Sequence, residues 1–171
     1  MLINVNQGAC KVMLSPNLSD FRKRPGFTYP CILHFLIESG VLCAAALVDG
    51  LQYERYFGEE LQLERDAVIP FFDSWPDSRI AFAGPWFVDL SKAMHLHERL
   101  QELEYNLPSV SWIASRLSPE QLMRHFKPFI DITLYNGKSG LLRFWDPRIA
   151  SQLPEGHRWK IGLVHQTSSF L

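Results

Sequence analysis

A continuous apolar run, Val41 to Val48 in "VLCAAALVDG", limits the fold of this chain more than any other segment. A strand with one solvent-exposed face alternates apolar and polar residues. This run is apolar throughout, which is typical of a strand that is buried on both faces. Such a strand needs helices on both sides of its sheet. The run is far shorter than the roughly 20 residues that cross a bilayer, so we expect no membrane span.

The remaining segments alternate between hydrophobic patterns typical of strands and patterns typical of helices. Further strands are predicted at "DAVIPFF", "GPWFVDL", "SVSWIASRL" and, near the end, "RWKIGLVHQ", with a short edge strand near Val12 to Leu14. Helices are predicted at "CILHFLIESG", "YERYFGEELQ", "SKAMHLHERLQELEYN" and "SPEQLMRHFKPFI". This order favours an α/β layered domain with a mixed β-sheet flanked by helices and a late β-hairpin. We expect a single domain over residues 1–171, with its core at about 31–154 and a short tail at 155–171.

Local signals place several element ends. Ser91 is the candidate N-cap of the third helix, and Ser118 with Gln121 forms a capping-box pattern at the start of the fourth. Pro128 is expected to kink or end that fourth helix. In "DITLYNGKSGLLRFWD", Asn136-Gly137 supplies left-handed turn residues between two apolar strands and predicts the hairpin.

Composition excludes several classes of protein. The chain has 17 Lys and Arg and 18 Asp and Glu, which gives a net charge of −1. It therefore lacks the excess of basic residues that is typical of nucleic-acid-binding proteins. Only Arg22, Lys23 and Arg24 form a dense basic run, which keeps a nucleic-acid module open as an alternative. Three cysteines without a CxxC pair predict neither a disulfide framework nor a cysteine zinc site. The N-terminus has no secretory signal, so a cytoplasmic location is expected.

Catalytic motifs are mostly absent. The sequence has no G-x-S-x-G elbow, no phosphate-binding glycine loop and no H-E-x-x-H pair, so we predict no catalytic residues, no metal site and no cofactor. His95 and His97 in "HLHE" would point in opposite directions on a helix. A small α/β hydrolase that uses Asp49 or Asp89 with a histidine brought close by folding remains the alternative function.

The segment "LLRFWDPRIASQLP" places Arg143, Asp146 and Arg148 close together. Asp146 followed by proline predicts a helix start, because the carboxylate caps the first turn and proline needs no hydrogen-bond partner there. Arg143 or Arg148 could bind Asp146, or another carboxylate, through two N–H groups. The residues alone favour a structural corner and leave open whether it also docks a partner.

Four stretches together resemble a known bacterial family. They are "ALVDG", the strand at Pro85 to Val88, the helix carrying Ser118, Glu120, Leu122, His125, Lys127 and Phe129, and "LRFWDPRI" at Leu142 to Ile149. Over about residues 41–154 the chain resembles the type VI secretion effector adaptors, also called effector chaperones, a family first catalogued as a domain of unknown function.

The resemblance implies a cytoplasmic, non-catalytic protein that holds a secreted effector and helps to load it onto the VgrG spike. It makes Arg124, His125, Arg143, Asp146 and Arg148 the candidate partner-binding residues. Many members continue into a further lobe, where only residues 155–171 remain here. An adaptor should expose an apolar docking patch, while two or three of the five tryptophans are expected in the core.

Overall fold

A computed structural model describes residues 10–14, 43–72, 77–115 and 117–154. In chain order, the strands and α-helices are β1 (Cys10–Leu14), β2 (Cys43–Asp49), α1 (Gly50–Phe57), β3 (Val68–Pro70), β4 (Pro85–Asp89), α2 (His97–Asn106), β5 (Val110–Ser115), α3 (Pro119–Phe126), β6 (Asp131–Thr133), β7 (Ser139–Leu141) and α4 (Pro147–Gln152). Short 3₁₀ helices lie at Asp77–Ala83, Met94–Leu96 and Lys127–Phe129.

The larger sheet has five strands in the order β1-β5-β2-β4-β3, so the apolar run of β2 lies at its centre. All four strand pairs of this sheet are antiparallel. A mixed sheet was predicted, but the described strands include no parallel pair. Strands β6 and β7 form the predicted late hairpin as a separate sheet. The α/β layered class is confirmed.

Alternate residues of β2 supply two different cores. Ala45 and Leu47 pack on one face of the sheet, whereas Ala46 and Val48 pack on the other. This follows from the two-residue period of a strand. The burial of both faces is what the unbroken apolar run predicted.

Helices α1 and α2 cover the second of these faces. Their apolar side is formed by Tyr53, Leu100 and Leu103, which lie against Trp86 and Trp112 of the sheet. The first face is covered by α3, α4 and the segment between them, through Leu122, Phe126, Phe144, Trp145 and Ala150. Trp86, Trp112 and Trp145 are all buried, which agrees with the expected two or three core tryptophans.

Two helix boundaries differ from the prediction. Helix α1 begins at Gly50, because Asp49 caps it, and ends before Gly58, whose φ of 74° closes the helix in the left-handed region. Helix α2 begins only at His97. Ser91 is not its N-cap, because the Asp89 carboxylate accepts hydrogen bonds from the Ser91 amide at 2.9 Å and hydroxyl at 2.6 Å and holds that residue in a turn.

The later signals are confirmed. Ser118 and Gln121 exchange the two hydrogen bonds of a capping box at the start of α3. The α-helix ends at Phe126, and Pro128 lies in the 3₁₀ turn that follows. In the hairpin, the Gly137 amide donates to the Leu134 carbonyl at 2.9 Å, and Gly137 has a φ of 75°.

The outer edge of β3 is closed by the chain itself. The amide and carbonyl of Val68 exchange hydrogen bonds with Glu64 at 2.9 and 3.0 Å, on the side away from β4. Pro70, the other outward position of this strand, has no N–H to donate. No comparable bridge covers the outer edges of β6 and β7 among the described residues.

Some predictions lie outside the described residues. These are the helix at 31–40, the last strand at 158–166 and the basic run at 22–24. Among the described helices, none is both long enough and apolar enough to cross a bilayer.

Candidate functional site

Asp146 marks the start of α4, as its position before a proline predicted. Its carboxylate accepts a hydrogen bond from the Arg148 amide at 2.9 Å, and its carbonyl accepts one from the Ala150 amide at 2.9 Å. The side chain is buried, with 4% exposure. Asp146 is therefore the N-cap at which α4 begins, directly after the turn that includes Phe144 and Trp145.

Arg148 binds the same carboxylate through two N–H groups. Its Nε donates to Oδ1 of Asp146 at 2.9 Å and its NH2 to Oδ2 at 2.6 Å, a two-pronged pair. These hydrogen bonds raise the pKa of the Arg148 guanidinium, partial burial opposes the rise, and the charges of Asp146 and Asp49 add to it. Asp49 is therefore within electrostatic range of this pair.

Arg143 does not share Asp146. Its NH2 group donates instead to Oδ2 of Asp49, which lies 94 residues earlier in the chain. The same carboxylate accepts the Gln52 amide at 3.1 Å through Oδ1, so Asp49 caps α1 and binds Arg143 at once. Two partly exposed guanidinium groups thus bind two buried carboxylates. We call this cluster of Asp49, Arg143, Asp146 and Arg148 the paired corner.

Trp145 fixes the paired corner to the central sheet. Its Nε1 donates to Oδ2 of Asp49 at 3.3 Å, and its carbonyl accepts the Ser111 hydroxyl of β5 at 3.0 Å. The neighbouring Phe144 packs on Phe126 of α3, with ring centroids 5.5 Å apart. The corner is therefore held by both the sheet and α3.

Gly50 is needed where the sheet meets α1. A Cβ atom at this position would lie 2.0 Å from the Phe82 carbonyl oxygen and 2.6 Å from Nε1 of Trp86. The Gly50 amide donates to the Gly84 carbonyl at 2.9 Å. The Asp49-Gly50 pair thus combines a carboxylate that binds the corner with a residue small enough to pass beneath Trp86.

The other two predicted partner-binding residues lie outside the paired corner, on α3. Arg124 is exposed. His125 is half-buried, and its ring makes edge contacts with Phe126 at 5.2 Å and Phe129 at 5.5 Å. The structure therefore brings together three of the five predicted residues and adds Asp49, whose part in the site the sequence reasoning missed.

A signal for Asp49 was present in the sequence. The corner contains two arginines, Arg143 and Arg148, but a single aspartate. This excess of arginine was compatible with a second carboxylate from elsewhere in the chain, which was one of the alternatives that the sequence left open. Only the fold shows that this carboxylate is at the end of β2.

The aspartates of the hydrolase alternative are engaged in structural bonds. Asp49 binds the groups described above, and Asp89 binds Ser91. His95 pairs with Glu64 at 2.8 Å, whereas Nε2 of His97 donates to the Leu90 carbonyl at 2.7 Å. The two histidines of "HLHE" thus have separate partners, and no group of three metal-binding side chains is found within the described ranges.

A family model described as "Domain of unknown function (DUF4123)" matches residues 46–157, about two thirds of the chain. Both halves of the paired corner lie inside this match, as do α3 and the hairpin. No curated protein matches the chain significantly, and neither does any solved structure.

Proposed function

This chain belongs to the DUF4123 family, and from that premise we propose that it is a non-catalytic bacterial adaptor. It binds a cognate type VI secretion effector in the cytoplasm and helps to load it onto the VgrG spike. The proposal extends the resemblance of the four sequence stretches to the type VI effector adaptors, and the following features of the structure support it.

The distribution of exposed apolar side chains carries this proposal. Of the nine large hydrophobic residues exposed within the described ranges, four lie between residues 134 and 149. We call the segment that bears them, with the arginines of the paired corner, the hairpin–corner surface; it comprises Leu134, Tyr135, Leu141, Arg143, Arg148 and Ile149. Aromatic residues and arginine are the residue types that anchor protein interfaces.

Tyr135 has the strongest features of a contact residue. It lies at the hairpin tip and is fully exposed. The turn beneath it is fixed by the Gly137 amide bonding to Leu134 and by the Lys138 amide donating to the Asn136 side chain at 3.1 Å. A turn that is already ordered loses little conformational entropy when its side chain docks.

The inner face of the hairpin continues from the core. Ile130 is buried, Ile132 is half-buried and Leu134 is exposed, so the apolar face passes from the domain interior to the surface. Leu134 lies over Gly140, where an added Cβ would meet its Cγ at 3.3 Å. A partner that packs against Ile132 and Leu134 would bury apolar surface that the hairpin alone leaves exposed to water.

The engagement of the aspartates also favours binding over catalysis. Each oxygen of Asp49 accepts at least one hydrogen bond from the chain itself, which is the behaviour of a structural carboxylate. A general base would need an oxygen within reach of a substrate proton.

The test is to isolate the tagged protein from its native bacterium and to identify stoichiometric partners by mass spectrometry. Tyr135→Asp should lose the effector, while Tyr105→Asp, a matched change at an exposed tyrosine on α2, should retain it. Both variants should unfold at the wild-type temperature. Recovery of no effector by the wild-type protein would refute the proposal, and equal recovery by the two variants would remove the hairpin from the docking surface.

A further inference from the structure

We infer that Arg143 is the receptor for a carboxylate on the protein partner, so that an Asp or Glu side chain of the effector docks on the paired corner. This inference rests on the proposed adaptor function and adds the chemistry by which the partner is recognised.

The first support is the way in which Asp49 holds the guanidinium. Asp49 has 2% side-chain exposure, whereas Arg143 has 39%. The carboxylate is fixed by the Gln52 amide and the Trp145 indole as well, so it cannot follow the arginine outward. Arg143 is therefore anchored at its NH2 group, while more than a third of its side chain stays exposed to solvent.

The second support is the number of donors that remain. A guanidinium has five N–H groups, and the described contacts of Arg143 use one, to Asp49. The other four N–H groups remain for a partner that reaches the exposed part of this side chain. A carboxylate that takes two parallel hydrogen bonds fits the planar fork of arginine better than it fits the point charge of lysine.

The third support is the arrangement of charge across the corner. Both guanidinium groups are partly exposed, Arg143 at 39% and Arg148 at 46%, while Asp49 and Asp146 lie beneath them. A carboxylate that approaches from solvent meets the two cations first. Complementary charge of this kind orients a partner and excludes wrongly charged ones.

The fourth support is the apolar rim. Leu141 comes two residues before Arg143, and Ile149 follows Arg148, and both are exposed. A partner that covers these side chains would exclude water from the pair between Arg143 and the incoming carboxylate. The Coulomb attraction between two charges grows when water is excluded, and close charge pairs at protein interfaces can contribute measurably to affinity.

The test uses the effector recovered with the wild-type protein and measures its dissociation constant for purified variants. Replacing Arg143 alone would leave Asp49 without its cation, so the main variant combines Asp49→Asn with Arg143→Gln, which keeps a neutral hydrogen-bonding pair. Arg143→Lys is the second variant and keeps the charge without the fork. Arg99→Gln is the matched control, because Arg99 is 40% exposed and pairs with Glu59 on the other side of the sheet.

We expect the double variant and Arg143→Lys each to bind about tenfold more weakly or worse, and Arg99→Gln to bind as wild type. The wild-type affinity should fall more steeply than that of the double variant between about 0.05 and 0.5 M salt. A photoreactive residue at Ile149 then locates the contacting effector peptide. An Asp→Asn or Glu→Gln change there should cost little further affinity in the double variant.

The outcomes separate the two proposals. Wild-type affinity in both Arg143 variants, with the effector still bound, would overturn the carboxylate receptor and leave the adaptor function standing. Failure of the wild-type protein to bind any effector would overturn both. Should the double variant not fold, as judged by circular dichroism, Arg143→Lys decides alone.

Discussion

Arg143 donates a hydrogen bond to Asp49 across 94 residues of sequence, and this bond joins the end of the central strand β2 to the corner before α4. Asp49 belongs to "ALVDG" and Arg143 to "LRFWDPRI", so the two stretches of family resemblance meet in space. The contact gives the first of these stretches a role in shaping the surface that the second presents.

Arg143→Ala should lower the free energy of unfolding by about 1–3 kcal/mol, because it leaves the buried Asp49 carboxylate short of a partner. Asp49→Ala loses the α1 cap as well. The double substitution should cost less than the sum of the single ones, since the second change removes the group that the first left unpaired. Urea unfolding followed by circular dichroism measures all three; additive costs would mean that the two residues do not interact.

Gly50→Ala should destabilise the protein far more than Gly58→Ala. The added methyl at residue 50 would overlap the Phe82 carbonyl and Trp86, so we expect a loss of about 3 kcal/mol or a failure to fold. At residue 58 there is open space and only the positive φ is strained, at a cost of about 1–2 kcal/mol. Thermal unfolding of the two variants tests this order, and similar melting temperatures would contradict it.

Asp146→Ala should cost about 2 kcal/mol, because α4 loses its N-cap and Arg148 loses its two-pronged partner. Asp146→Asn keeps an oxygen for the Arg148 amide and should cost less. Amide hydrogen exchange in α4 is the direct measurement, with faster exchange expected in Asp146→Ala than in Asp146→Asn. Unchanged protection in both would show that the cap does not stabilise the helix.

Tyr56 should make the protein less stable in alkali. Its hydroxyl donates to Glu102 at 3.0 Å, and this bond, more than desolvation and the Glu102 charge, raises the pKa of Tyr56 above its ordinary value of about 10. A raised pKa in the folded state means that the contribution is complete below pH 10 and is lost as the pH rises through the folded pKa.

Tyr56→Phe should therefore flatten the fall of melting temperature above about pH 10 while lowering stability slightly at neutral pH. Thermal scans from neutral to alkaline pH compare it with Tyr105→Phe, a change at an exposed tyrosine of the same helical layer. An alkaline slope equal in Tyr56→Phe and wild type would exclude this contribution.

The strongest sequence predictions depended on local chemistry. The unbroken apolar run gave β2, the Ser118 box gave the start of α3, and Asp146 before proline gave the start of α4, because each signal acts within a few residues. Ser91 failed as a cap for an equally local reason. Asp89, two residues earlier, takes both its amide and its hydroxyl, and a propensity for capping does not reveal that competition.

The paired corner was predictable only in part. The Arg148–Asp146 pair spans two residues and was one of the alternatives that the sequence left open. The partner of Arg143 depends on how the segment after β7 lies across the sheet, which brings Trp145 to Asp49 and Ser111. The contact between Arg143 and Asp49 depends on the packing of elements that are distant in the sequence, so no local sequence pattern predicts it.

The closed outer edge of β3 should lower the tendency of this protein to aggregate at high concentration. Exposed strand edges template the stacking of identical chains into insoluble fibres. Because Val68 is already hydrogen-bonded to Glu64 and Pro70 has no N–H, this edge of the sheet has few backbone groups with which a strand of a second copy could pair. The fold thereby limits pairing between identical chains along the outer edge of β3.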